Sequence, residues 1–422
     1  MNSVRASLFA AVQRRFFFGW AVLAVAAVSF FASGPGQSHT FSVFIEPLSR
    51  DLGMAQTSIA SAYAIATLVA ALGLPRMGGL VDRYGVWRVM LVVSVLLGLA
   101  CVAFGTVSGG ITLALGFAAL RFLGQGSLML FCANLVAQWF HRKRGFAMSI
   151  MALGFSASMA LHPPLVQWLV DSVGWRQAWL WLGIMTWAIL LPLVLLLVHN
   201  KPEDCGLLPD GDAPETAAGE ESAAAVAGLT LKQAIRTGAF WIISVSLFTP
   251  AALVTALFFF QVSIFQSQGL SQQMAAQIFT VSGVMMVLAI PVFGRILDRF
   301  PTQYVFAGAL VLLSLTMLTA SLVDNIVTAL IYGALFGANN ATNITFFSYI
   351  WARYFGRKHL GSVQGAGQMI GVVGASVGPL PFGLAFDLSG SYIATLQILA
   401  LVPLGCSVLA LFLRTPSWDV ED

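Results

Sequence analysis

Apolar residues run through this chain in long blocks separated by short polar interruptions. Twelve blocks cover residues 17–45, 57–80, 87–107, 110–139, 145–170, 177–199, 239–266, 273–295, 302–322, 326–352, 360–386 and 391–413. A helix needs about 20 apolar residues to cross roughly 30 Å of hydrocarbon, and every block has that length. None shows the ten-residue alternation of an outer-membrane barrel strand. The pattern predicts an all-α membrane protein with twelve transmembrane helices, called spans one to twelve below.

The blocks fall into two sets. Gly78-Gly-Leu-Val-Asp82-Arg83-Tyr-Gly85-Val-Trp-Arg88, after span two, is echoed 216 residues later by Gly294-Arg-Ile-Leu-Asp298-Arg299 after span eight. An offset of 215 relates Trp139-Phe-His-Arg-Lys143 to Tyr354-Phe-Gly-Arg-Lys358 and Pro164 to Pro379. The chain therefore reads as a duplicated membrane half, the usual build of secondary transporters. It divides into a six-helix bundle over 1–199, a linker over 200–238 and a second, pseudo-symmetric six-helix bundle over 239–422. The linker carries Asp210, Asp212, Glu215, Glu220 and Glu221 among many Ala and Gly, the composition of a flexible tether. Within it, Leu229–Arg236 has the spacing of a short amphipathic helix lying at the membrane face.

Composition agrees: 58% of residues are hydrophobic and 9% charged, so lipid must be the solvent of most of the surface. Of the 21 Lys and Arg, 18 fall at the termini and the even-numbered connections; Arg50 and Arg176 lie opposite, and Arg121 lies inside a span. That bias places both termini in the cytoplasm, so the net charge of +4 is a topology signal and not a nucleic-acid footprint. Arg14-Arg15 precedes an apolar run that continues to Ile45, too long for a cleaved leader. Cys101, Cys132 and Cys406 fall within spans and Cys205 in the linker, which implies no disulfide or metal framework. No nucleophile–base arrangement or phosphate-cradling Gly-Lys-Ser/Thr loop is present, which excludes the obvious enzyme classes and an ATP-driven pump. No cofactor is expected.

The Gly-x-x-x-Asp-Arg-x-Gly pattern at the same place in both halves resembles the major facilitator superfamily. The resemblance implies alternating access, with Asp82, Arg83, Arg88, Asp298 and Arg299 as gating charges at helix ends, away from the substrate. Arg121-Phe-Leu-Gly124-Gln-Gly126 looks like a second motif of that family. A guanidinium inside hydrocarbon turns toward a cavity or a partner, and the two glycines let a neighbouring backbone approach. Arg121 then either binds substrate or a proton-coupling partner, or organises the bundle by bonding helix-end carbonyls.

Phe18-Gly19-Trp20, Phe41-Ser-Val-Phe-Ile45, Gly174-Trp175-Arg176 and Pro202-Glu-Asp-Cys-Gly-Leu-Leu-Pro-Asp-Gly211 resemble the monocarboxylate-transporter branch and its bacterial relatives. That resemblance puts His39 where the branch has a working lysine. It puts Met286 and Ile290 where the branch has an acid and a carboxylate-gripping arginine, a departure from its pattern. Gly34-Pro-Gly-Gln37-Ser-His-Thr-Phe41 and Val254-Thr-Ala-Leu-Phe-Phe-Phe-Gln261 instead resemble a bacterial importer branch that includes riboflavin and copper importers. Copper calls for facing soft ligands; Met285-Met286 is present, but no His lies in a span of the second half.

Polar residues in cavity-side spans complete the picture. Gly34-Pro35-Gly36 should break span one beside Gln37 and His39. Span five offers His162, span seven Thr255 and Gln261, span ten Asn339, Asn340, Thr342 and Asn343, and span eleven Gln364 and Gln368. No Asp or Glu falls mid-span, so proton coupling must run through His39, His162 or the substrate; each His reads equally as a packing residue. Asn339 and Asn343 share a helix face, and with Phe258, Phe259 and Phe260 they suit a planar polar ring, or else serve as interhelical glue. The candidate substrate-binding set is Gln37, His39, Arg121, Gln261, Asn339, Asn340, Asn343 and Gln368. The leading expectation is import of a neutral or weakly charged heteroaromatic solute such as riboflavin, with a proton-coupled monocarboxylate as runner-up. A bacterial inner membrane, a functional monomer, no nucleic-acid partner and protons as the coupling ion complete the expectations.

Overall fold

The computed structural model describes residues 2–140, 142–211, 228–356, 360–414 and 416. The described residues form helices and short turns joined by tight connections, with one isolated backbone bridge between Gly228 and Gly356. Ten helices are long and apolar enough to span a bilayer. The two expected spans outside that set have visible reasons. Span one is broken, and span ten, the 30-residue helix Ile326–Phe355, carries Asn339, Asn340, Thr342 and Asn343 at its centre. Contacts divide the chain into two units, residues 1–41 with 65–222 and residues 42–64 with 223–422.

In the first unit the break in span one is built as expected. Helix Gly19–Ala32 ends, Gly34–Gly36 forms a single 3₁₀ turn, and a short helix resumes at Ser38. Gln37 between them is extended, with φ −96° and ψ 147°. The turn lies against span four, Gly110–Trp139. A Cβ on Gly36 would sit 2.4 Å from the Leu120 carbonyl oxygen and 3.0 Å from Gly124 Cα, and one on Gly124 would sit 3.1 Å from Gly36 Cα. The two backbones touch because neither glycine has a side chain. Span four pays no break for this contact. It widens into a π-helical stretch, Arg121–Leu128, a local irregularity common at functional sites.

The gate motif closes helix Gln56–Tyr84, and Gly85 at φ +81° ends it before Val86–Phe104 begins. The second copy ends helix Gln272–Arg299 and turns through Phe300-Pro301 without a positive φ. Arg83 is exposed and stacks over the Tyr84 ring, and Arg88 and Arg299 are exposed. The side chains of Asp82 and Asp298 lie outside the described residues.

The start of the linker is not a free tether. Residues 202–205 and 209–211 form 3₁₀ turns, and Asp210 takes the left-handed conformation at φ 60°. Its buried carboxylate accepts from the backbone N–H of Arg142 at 2.6 Å and of Lys143 at 3.2 Å, just before span five, Arg144–Val173. Nearby, Asn200 accepts from the N–H of Trp87 at 2.9 Å, and Arg5 stacks over the Trp87 ring while bonding the Val198 carbonyl. His199 beside them is held below its usual pKa by burial and then by the Arg5 charge. The far end of the linker belongs to the second unit, where Leu229 N–H donates to the Phe355 carbonyl at 2.9 Å. Only Leu231–Ala234 of the expected amphipathic helix is helical, closed by a Thr230–Gln233 capping box. Residues 212–227 lie outside the described residues.

In the second unit span seven, Gly238–Ser267, is 72% buried in its most apolar window, against at most 50% for the nine other helices long and apolar enough to cross a membrane. Asp387, at the end of span eleven, caps helix Gln56–Tyr84 by accepting from the N–H groups of Gln56 at 3.0 Å and Thr57 at 2.7 Å.

Two outcomes follow from this packing. Gly36→Ala should lower stability by about 1–3 kcal/mol, the usual cost of forcing atoms into a filled contact, while Gly405→Ala, which meets open space, should be neutral in thermal unfolding. Asp210→Ala should leave the Arg142 and Lys143 N–H groups without their carboxylate acceptor and reduce local hydrogen-exchange protection of 201–211 by about 1–3 kcal/mol, whereas Glu203→Ala, at an exposed position, leaves it unchanged.

Candidate functional site

Six polar side chains from three spans meet inside the first unit: Gln37, Ser38 and His39 after the break, Arg121 from span four, and Ser158 and His162 from span five. All six are buried. Arg121, 4% exposed, donates from Nη1 to the Gly36 carbonyl oxygen at 3.4 Å and to Ser38 Oγ at 3.3 Å. The first acceptor exists because the 3₁₀ turn frees it from helical pairing, so one of the two roles read from the sequence, bonding a helix-end carbonyl, is realised in the geometry. The π-helical stretch begins at Arg121 itself.

His39 and His162 are joined by one hydroxyl. His39 Nε2 lies 3.1 Å from Ser158 Oγ, and the same Oγ lies 3.2 Å from His162 Nδ1. His162 Nδ1 also lies 3.2 Å from the Ser158 carbonyl oxygen. The ring centroids of the two imidazoles are 6.5 Å apart. Phe31 packs against His162 with ring centroids 4.6 Å apart and planes tilted by 42°, and the missing Cβ of Gly34 makes room for the imidazole, which such an atom would meet at 2.4 Å. Phe155 meets His39 edge-on at 5.7 Å. Gln37 turns the other way, donating to Ser33 Oγ at 3.0 Å and approaching Met129 Sδ at 3.3 Å. The hydroxyls of Thr40, Ser127 and Ser156, on the same three segments, are buried without a hydrogen-bond partner among the described residues. Buried polar atoms are normally satisfied, so this cluster offers unmet capacity that a polar solute would relieve.

The candidates in the second unit sit differently. Gln261 Nε2 donates to the Ala275 carbonyl at 3.1 Å, and its Oε1 accepts from Tyr332 at 3.1 Å, so this side chain staples spans seven, eight and ten. Asn340 donates back to the Phe336 carbonyl of its own helix at 2.8 Å, and Asn343 donates to Asn339 Oδ1 at 3.1 Å. Gln368 is exposed, one residue before the exposed Met369. Phe258 packs edge-on against Phe336 at 4.8 Å. The amides are thus largely engaged within their own helices. Span ten also has its close approach, at Gly337, where a Cβ would lie 2.2 Å from the Ser282 carbonyl. Met286 is fully buried.

Sequence reasoning passed over Ser38, Ser158, Tyr332, Asp210 and Asp387. An i, i+4 spacing of Ser158 and His162 was the available signal for the first pair of groups; Tyr332 and Asp387 act on residues 71 and 331 positions away, with no local signature.

The sequence profile of the Major Facilitator Superfamily matches residues 16–379 and, overlapping, 255–421, and the chain belongs to that family of membrane transporters. Human monocarboxylate transporter 11 is 30% identical over 183 residues, 42% of this chain and 39% of that protein. Human monocarboxylate transporter 2 is 22% identical over 396 residues, 89% of this chain and 80% of its own. The match to transporter 11 thus spans about two fifths of the relative's length. Among solved structures, a bacterial homologue of the human lysosomal transporter Spinster, in an inward-facing and unoccupied conformation, aligns with TM-score 0.66 at 15% identity over 94% of this chain and 95% of that one, a likeness of fold. The chain is thus a multi-pass member of a family of transporters, and within its superfamily it resembles the monocarboxylate-transporter-like branch.

The staple in the second unit gives a measurable cycle. Gln261→Leu strands the buried Tyr332 hydroxyl and should cost about 1–3 kcal/mol; adding Tyr332→Phe should recover part of that loss in thermal unfolding.

Proposed function

We propose that the protein is a proton-coupled carrier of a small organic monocarboxylate, with the anion received at Arg121. The observation that carries this reading is the buried guanidinium fixed at the break of span one. It is the sole Arg or Lys that the sequence places at mid-span, and a guanidinium fork grips a carboxylate through paired charge-assisted hydrogen bonds. Likeness to monocarboxylate transporters supports the same class. Because span eight carries Met286 and Ile290, the counter-charge for an anion comes from span four in this chain. His39 and His162, the two imidazoles buried in the same cluster, hold the accompanying proton. The gating charges Asp82, Arg83, Arg88, Asp298 and Arg299 hold and release helix ends as the carrier alternates, and the protein acts as a monomer in a bacterial inner membrane with both termini cytoplasmic.

The second reading is import of a neutral heteroaromatic solute such as riboflavin, read by Asn339, Asn340, Asn343 and Gln368 beside Phe258. Span ten's amides favour it; their pairing within their own helix weakens it. Radiolabelled lactate uptake into proteoliposomes separates the two. Arg121→Gln should reduce kcat/KM for lactate about 10- to 100-fold, the equivalent of about 1.5–3 kcal/mol for a bond to a charged group. Arg121→Lys, which keeps the charge and loses the fork, should recover only part. Well-folded protein that ignores lactate and related acids but exchanges riboflavin would overturn the monocarboxylate reading.

A further inference from the structure

We infer that Ser158 is a proton relay that makes His39 and His162 one proton-holding unit, passing charge from span five toward the break in span one. The inference takes its functional meaning from the proton coupling proposed above. Its physical basis is separate: one hydroxyl within hydrogen-bond distance of two imidazoles on different spans.

The donor and acceptor inventory fixes the neutral arrangement. A carbonyl oxygen only accepts, so His162 Nδ1, 3.2 Å from the Ser158 carbonyl, carries a hydrogen. The Ser158 hydroxyl has one hydrogen to give. With His162 Nδ1–H on its acceptor side, that hydrogen points to His39 Nε2, which accepts it, and the hydrogen of neutral His39 sits on its Nδ1. Both rings are thereby held as the same tautomer, and the bonds run in one direction, from His162 through Ser158 to His39.

That direction defines the transfer. A proton taken up at His162 Nε2 makes the ring a cation. Its Nδ1 hydrogen passes to Ser158 Oγ as the hydroxyl hydrogen passes to His39 Nε2. His162 is left neutral with its hydrogen on Nε2, the hydroxyl is restored, and the positive charge rests on His39. One proton enters and one charge moves, with no other reactant.

The surroundings decide when the charge stays. Arg121, bonded to Ser38 next to His39, is the charged group span four presents here. Helix Gly19–Ala32 and the 3₁₀ turn bring no ionisable side chain. Span five has Arg144 and Asp171 toward its ends, with Asp171 bonded to Gln167, and Cys132 of span four is a buried thiol. Span six contributes Arg176, bonded to the Gly105 and Val107 carbonyls. Ser38, which Arg121 bonds, is the residue next to His39 in the chain, and like charges in a poorly solvated site repel. An anion held at Arg121 offsets that repulsion, so the relay completes its transfer when the anion is present.

The test uses the full-length protein with lactate as probe. In proteoliposomes, the ratio of pH-gradient-driven uptake to counterflow should fall at least about tenfold in Ser158→Ala and return in Ser158→Thr, which restores the hydroxyl. In nanodiscs, ¹⁵N-histidine spectra of the five histidines should show His39 in its Nδ1–H form in the wild type and lose that signature in Ser158→Ala. If Ser158→Ala keeps the wild-type ratio while His39→Gln loses it, the relay is wrong and coupling through His39 stands. If His39→Gln also keeps it, the coupling reading falls with the relay. Unchanged histidine tautomers in Ser158→Ala overturn the relay whatever lactate does.

Discussion

The first unit is organised by a contact between two backbones with nothing between them. The 3₁₀ turn Gly34–Gly36 rests on the Leu120–Gln125 backbone so closely that a single methyl on Gly36 would overlap a carbonyl oxygen. A broken helix in a membrane leaves polar backbone groups that must be met by protein. Here the approach that requires glycine also brings the answer, because it sets the Arg121 guanidinium within reach of the freed Gly36 carbonyl. The break therefore does not sit beside the site; it makes it. Gln37, extended at the end of the turn, redirects the chain so that Ser38 meets Arg121 and His39 meets span five.

The two units carry related sequences but use them differently. In the first, the residues at the centre bond across spans: Arg121 to span one, Ser158 to His39. In the second, the position equivalent to Arg121 by the 215-residue offset is Phe336, which is buried among Phe258 and Tyr332, and the amides of span ten turn back onto their own helix. One half holds titratable and charged groups in a cross-linked cluster, the other an aromatic wall with satisfied amides. Duplication supplied the same helices twice, and the polar chemistry was concentrated in one copy.

What was legible in the sequence was whatever has a local signature. Length and apolarity announce spans; Gly-Pro-Gly announces a break; a lone Arg in an apolar block announces a buried charge. The repeated gate motif was legible for the same reason, although the two copies turn differently, one through Gly85 at positive φ and the other through Phe300-Pro301. Ser158 was not legible, because serine is common in membrane helices and its meaning arises only when His39 from another span reaches it. Asp210 was hidden by its neighbours: in an acidic, Ala- and Gly-rich stretch a carboxylate reads as solubilising charge, yet this one is buried on the N–H groups of Arg142 and Lys143. Gln261 read as a pathway residue because polarity in a span suggests a ligand, and only its two partners show that the amide is engaged in holding three helices together.

The linker shows how anchoring and duplication combine. Asp210 fixes its first end to the connection after span four, and Leu229 fixes its last end to the connection after span ten. By the 215-residue offset these are the same connection in the two halves, Trp139–Lys143 and Tyr354–Lys358. The attachments differ in kind, a carboxylate on two N–H groups in one unit and a backbone pair in the other. Both sit at an equivalent place, where a connection that precedes a long helix offers N–H or carbonyl groups for a passing chain to satisfy. Loop ends dock where the duplicated helices leave backbone polarity exposed, and the same rule, applied inside the membrane, is what brings Arg121 to Gly36.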